Sequence, residues 1–162
     1  DDLGDHFFII TNRHEGLPAS FSDIEKVLSR SNITGSYLFA GYDMFGIDGQ
    51  LNTGDELNPA GATIKSVKTS SKGNFDGSFA LSGLQPYDYN PETGSWVILA
   101  PEGETQNTAS FGRIINARLG QVWEGDPADP YGLFAATTID KVKVTEVTMG
   151  ANAPDFQPKS WL

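Results

Sequence analysis

The sequence predicts an all-β fold, a β-sandwich of about nine short strands with one short helix, on three observations. Apolar residues come in short runs rich in β-branched and aromatic side chains. Eighteen glycines and nine prolines cut the chain into brief segments. Helical spacing with a start signal occurs once, near residues 22–29. A chain of 162 residues fits a single domain, 1–162, with a substantial core.

In order, His6 to Asn12 reads as a strand that is apolar on both faces. Its Phe7, Phe8, Ile9 and Ile10 could join the chain's own sheet or complete the sheet of a neighbouring copy. Ser22-Asp23-Ile24-Glu25 is a capping box, and Val27 and Leu28 follow Ile24 at helical spacing, which predicts the helix. From Ile33 the pattern changes to strands and turns: Ser36 to Ala40, Ala62 to Thr69, Ser78 to Leu81 and Ser95 to Ala100. The last holds Trp96, Val97, Ile98 and Leu99 and reads as the central strand. Ala109 to Leu119 and Gln121 to Trp123 read as a pair of strands turning at Gly120. Leu133 to Ile139 and Lys141 to Met149 complete the set, with a face switch near Thr145 and Glu146 that suggests a bulge. Residues 150–162, with Pro154 and Pro158, are expected as an extended tail. No internal repeat stands out.

Composition narrows the function. Eleven basic against twenty-one acidic residues give a net charge of −10, a balance that repels phosphate backbones and anionic lipid. Nucleic acid is therefore not an expected partner. No apolar run approaches the ~20 residues that cross a bilayer, so membrane insertion is not expected either. The lack of cysteine excludes disulfides and thiolate sites, and two histidines cannot build a three-histidine zinc centre. A start at Asp1 is what a processed mature form or a trimmed chain would show.

The densest cluster of chemistry runs from Tyr42 to Glu56. It sets Asp43, Asp48, Asn52, Asp55 and Glu56 among glycines, the combination a hard cation such as calcium requires. Placing Gly49 at the sixth position of a calcium loop puts Asp48, Asn52 and Asp55 at the fifth, ninth and twelfth. Met44 and Gly46 then fall at the first and third, where they offer no side-chain oxygen. The other reading is an acidic turn satisfied by its own backbone.

Ile33-Thr34-Gly35, Tyr37-Leu38-Phe39, the loop Asp48 to Glu56, Gly61-Ala62-Thr63-Ile64, Gly73-Asn74-Phe75, Phe79, Gly83-Leu84, Pro86 and Tyr89 follow one another in turn. Over residues 33–101 this series resembles the B-type modules of bacterial surface adhesins, the collagen-adhesin and serine–aspartate-repeat group. The resemblance implies a β-sandwich outside the cell, with calcium at Asp48, Asn52 and Asp55; Asp43 and Glu56 join only as neighbours. Some such modules carry an isopeptide crosslink, for which Lys65, Lys68 and Asn116 are the residue types present without a diagnostic spacing.

Catalytic signatures are missing from the sequence: no G-x-S-x-G, no phosphate loop, no H-E-x-x-H and no G-x-G-x-x-G. His6 beside Asp5 and His14 beside Glu15 read as surface histidines. Tyr87 and Tyr89, between Pro86 and Pro91, read as exposed rings able to stack on sugars, whereas Trp96 and Trp123 read as core. A single glycosylation sequon stands at Asn32-Ile33-Thr34. The expectation is a noncatalytic structural or adhesive protein of the cell surface or extracellular space, self-assembling with copies of itself and stabilised by calcium. A calcium-assisted carbohydrate-binding module taking glycans is the alternative, and a virus capsid or tail component a further one.

Overall fold

The computed structural model describes residues 8–11, 23–46, 48–51, 53, 55–123, 131–148 and 156–160. The short apolar runs do form strands, but with partners far away in sequence. β1 (Phe8–Thr11) precedes a first coil of β2 (Val27–Leu28), β3 (Ile33–Thr34) and β4 (Tyr37–Ala40). A second coil holds β5 (Ala62–Ile64), β6 (Val67–Lys68), β7 (Asn74–Asp76) and β8 (Phe79–Ser82). After a hairpin of β9 (Asp88–Asn90) and β10 (Ser95–Val97), a third coil holds β11 (Gly112–Ile114), β12 (Ala117–Trp123) and β13 (Tyr131–Ala135). The fourth holds β14 (Thr138–Ile139), β15 (Val142–Thr148) and β16 (Phe156–Ser160).

Each coil lays its strands beside those of the coil before it. Apart from the antiparallel β9–β10 hairpin, every pairing between described strands is parallel. One sheet runs β1-β4-β8-β13-β16, a second stacks β2, β6, β12 and β15 with β3 and β7 beside them, and a third runs β14-β11-β5. Ile114 lies opposite Ile139, Ala117 opposite Val142 and Tyr131 opposite Phe156, twenty-five residues apart each time. The chain therefore winds as a parallel β-helix whose sheets curl around one shared core. A parallel strand needs a long return path, and here the rest of each coil supplies it.

Like side chains stack inside. Ile24, Ile64 and Ile114 form one buried ladder, Val27, Val67 and Ala117 a second, and Leu38, Ala80 and Leu133 a third. The corners stack as well: Ile33-Thr34-Gly35-Ser36-Tyr37 lies beside Phe75-Asp76-Gly77-Ser78-Phe79. Gly35 and Gly77 turn the chain with φ of 55° and 51°, a left-handed bend that favours glycine. The buried Ser78 hydroxyl accepts the Ser36 N–H at 3.0 Å, tying one corner to the next.

Several expectations are corrected. The fold is not a β-sandwich, because a sandwich of this type pairs antiparallel neighbours and these strands pair in parallel across whole coils. The adhesin-like reading falls with it: of the residues that carried the resemblance, Gly35, Tyr37, Phe75 and Phe79 belong to the stacked corners of two parallel coils. The described residues contain no helix. Ile24 and Val27 are indeed buried together, but the Ile24 N–H donates to Thr63 O at 2.9 Å and the Lys65 N–H to Ile24 O at 2.8 Å. Sheet bonding has taken the backbone groups that a helix would use.

Ser95–Val97 is one arm of a surface hairpin, with Val97 46% exposed, rather than a central strand. β12 runs straight through Gly120 without a hairpin turn. The face switch in β15 involves no inserted residue, since the register to β12 is the same on both sides of Thr145. In β12 Leu119 and Val122 are both buried, on either side of Gly120 and Gln121. Phe8, Ile9 and Ile10 pair with β4 of the same chain, while Phe7 lies outside the described residues. Phe156–Ser160, expected within the tail, pairs with β13; Pro158 is tolerated there because β16 is an edge strand.

Candidate functional site

Two long loops leave the β-helix at the same corner. Between β13 and β14 that corner takes only Ala136 and Thr137, whereas the first coil inserts residues 41–61 and the second residues 83–111. Insertions stacked on one side of a coiled fold build a common surface, often a binding one.

The loops are packed together by aromatic rings and by a buried carboxylate. Trp96 of β10 meets Phe39 at 5.3 Å and Tyr42 at 6.1 Å, both edge-on, and Tyr89 lies 4.4 Å away on its other side. Tyr37 stacks on Phe79 at 5.6 Å beneath them. Alternation along β4 and β8 sends Leu38 and Ala80 inward and Tyr37, Phe39 and Phe79 outward. The hairpin thus covers the outer face of the first sheet, so both faces of these strands are buried. Glu56, 0% exposed, accepts the Thr53 N–H at 2.6 Å and the Gln85 Nε2 amide at 3.3 Å. Asn107 in turn donates to Gln85 Oε1 at 2.6 Å, and Gln106 to Gln85 O at 2.6 Å.

The acidic loop organises itself around Thr53. Its hydroxyl lies 3.1–3.4 Å from one oxygen each of Asp48, Asp55 and Glu56. Asp48 also accepts the Gln50 N–H at 2.8 Å, and Asp55 the Asp48 N–H at 3.2 Å. Asp43 stands across the neck of the loop from Glu56, its N–H donating to Glu56 O at 2.8 Å and its carboxylate accepting the Phe45 N–H at 3.2 Å in a tight turn. Gly46 has φ of 57° there, a left-handed backbone that favours glycine, and the Asp55 carboxylate fills the space a Cβ would take. The structure therefore brings Asp48, Asp55 and Glu56 together around Thr53, with Asp43 joined to Glu56 through the backbone, and Asn52 lies outside the described residues. Among the described residues no three acidic or imidazole side chains are arranged to share one metal ion.

Of the expected sugar-stacking pair, Tyr87 is 42% exposed but Tyr89 is half-buried against Trp96. Exposed Phe45 and Phe111 stand on the same corner loops, at 51% and 39%. Trp96 packs against the core, though as part of a surface hairpin; the side chain of Trp123 is not described. Sequence reasoning missed Gln85 and the structural part played by Glu56. The buried Tyr42 hydroxyl makes no hydrogen bond among the described residues, and burial with the Glu56 and Asp43 carboxylates pushes its phenol well above the ordinary value.

Comparison with known proteins adds no relative. No family model matches the chain, no curated protein matches it, and no solved structure matches it.

Proposed function

We propose that the chain is a noncatalytic binding protein, a rigid β-helix that presents the stacked loops 41–61 and 83–111 to glycans outside the cell. The supporting observation is that the two insertions leaving the β-helix at one corner carry exposed Phe45, Tyr87 and Phe111 together with exposed Asp48, Asp88 and Asn107. Aromatic faces take the apolar faces of sugar rings, while carboxylates and amides bond to their hydroxyls. A glycan panel on the folded chain tests this. Tyr87→Ala should weaken binding at least tenfold at unchanged melting temperature, and the absence of any retained glycan defeats the reading.

A second reading, self-assembly, is favoured by the edges of the first sheet. β1 and β16 each have one partner among the described strands. An open parallel edge accepts another coil, and head-to-tail addition of copies would extend without closing. If so, light scattering should grow with concentration and stop growing when a proline replaces Ile9 in β1. A monodisperse monomer at all concentrations sinks it.

A further inference from the structure

The charge of this chain is distributed very unevenly over its surface. Segments 26–34, 65–75, 115–123 and 141–145 contain Lys26, Arg30, Lys65, Lys68, Lys72, Arg118, Lys141 and Lys143 and no acidic residue, in a chain of net charge −10. Coiling stacks these segments on one another as the second sheet. Arg118 lies directly opposite Lys68 on one side and Lys143 on the other, so three cations stand in register on successive strands. The spacing between neighbouring strands is about 4.8 Å. The inward neighbours Val67 and Ala117 are buried, which places Lys68 and Arg118 on the outer face. None of the three cations makes an ion pair among the described residues, although Lys65 pairs with Glu25 and Arg113 with Asp140 nearby. Along the chain the acidic residues nearest Lys143 are Asp140 and Glu146, three positions to either side, with Glu146 opposite Gln121.

Beside the ladder lies a notch of about 220 Å³ lined by Thr69, Ser70, Ser71, Arg118, Lys143 and Thr145. The turn from Thr69 to Gly73 forms one wall. It is held down by the Gly120 N–H donating to Thr69 Oγ1 at 2.8 Å and the Gln121 N–H donating to Gly73 O at 2.9 Å. Leu119 and Gly120 complete the lining, whose polar side chains are hydroxyls and cations without a carboxylate.

Like charges directly opposite on adjacent strands destabilise a sheet. A row of three, with no ion pair to an acidic side chain among the described residues, conflicts with stability, and such conflicts mark sites of function. We infer that the Lys68–Arg118–Lys143 ladder and its notch bind an anionic polysaccharide lying along the β-helix axis, its carboxylates or sulfates on the cations and its hydroxyls in the notch. The cation repeat is close to the length of one sugar residue, so a polymer charged on every sugar meets all three. Single-stranded nucleic acid is disfavoured because it needs aromatic platforms for its bases, and the described side chains of these segments expose none. This inference concerns a different sheet from the corner loops and does not depend on the glycan reading of those loops.

The test measures binding of the full chain to alginate, which carries one carboxylate per sugar, against neutral dextran and a single-stranded oligonucleotide. Alginate should bind, dextran should not, and the affinity should fall steeply with salt. Arg118→Ala and the pair K68A/K143A should each weaken binding at least tenfold. The pair K65A/R113A, which removes equal charge from existing ion pairs, and Tyr87→Ala should leave it within twofold. Melting temperatures of the ladder variants should equal or exceed that of the parent, which separates lost binding from lost folding. Equal binding of alginate and dextran, undiminished binding by the ladder variants, an equal loss in K65A/R113A or tighter binding of the oligonucleotide would each overturn the assignment.

Discussion

Gly120→Ala tests the architecture at its tightest described approach to the ladder. In an extended strand that substitution ordinarily stabilises by about 0.4–1 kcal/mol, because the unfolded chain loses freedom. Here a Cβ would stand 2.2 Å from Ser70 O and 2.7 Å from Gly73 O, well inside contact distance. Both are backbone atoms of the turn lying over β12, so no side chain can swing aside. The turn must lift, and the bonds from Gly120 N–H to Thr69 and from Gln121 N–H to Gly73 are lost with it. Two hydrogen bonds at about 1 kcal/mol each, with roughly 1–3 kcal/mol of strain, outweigh the entropic gain. The net expectation is a loss of about 2–4 kcal/mol, or roughly 5–15 °C in melting temperature for a domain of this size. Urea denaturation should show a lower midpoint with an unchanged slope. A variant as stable as its parent would refute the close packing of the turn on β12, and with it the floor of the notch.

Glu56→Ala should cost about 2–4 kcal/mol in the same assay, because the Thr53 N–H and the Gln85 amide would lose their buried acceptor; a change below about 0.5 kcal/mol would show that the loops do not depend on it. Asp76 is half-buried, and burial holds its carboxyl above the usual 3.8. The folded state therefore keeps that proton to higher pH than the unfolded state, and stability falls as pH rises from 3.8 through the raised value. Asp76→Asn should remove that part of the slope, and an identical pH profile would disprove it. Millimolar calcium should raise the melting temperature over that in chelator if Asp48, Asp55 and Glu56 trade the Thr53 hydroxyl for an ion. Superimposed melting curves would identify the loop as a self-satisfied turn.

The strand content was legible locally. Tyr37–Ala40 and Ala62–Ile64 lie within runs whose composition marks them as β, Phe79–Ser82 overlaps another, and Gly35 and Gly77 are recognisable turn residues. The acidic loop was visible as a cluster, because its Asp, Thr and Gly residues bond to backbone a few positions away. The helix near 22–29 failed because a capping box reports only local preference, and the sheet bonds from Ile24 to Thr63 and Lys65 override it.

Which strand meets which was decided by tertiary structure alone. A β-strand offers the same alternating face to a parallel or an antiparallel neighbour, so nothing within Phe79–Ser82 states that Tyr37–Ala40 and Tyr131–Ala135 flank it. The coil period was hidden as well: β11 and β14 are separated by twenty-five residues, but the two corner insertions stretch the earlier coils. Net charge hid the surface pattern for the same reason. A total of −10 was legible from composition, and it argued against anionic partners. Lys68, Arg118 and Lys143 are remote in sequence, and only the stacking of coils brings them into one line. Local propensity acts over a few residues and was readable in the chain; partner choice and the surface field depend on contacts across whole coils and emerged only in the fold.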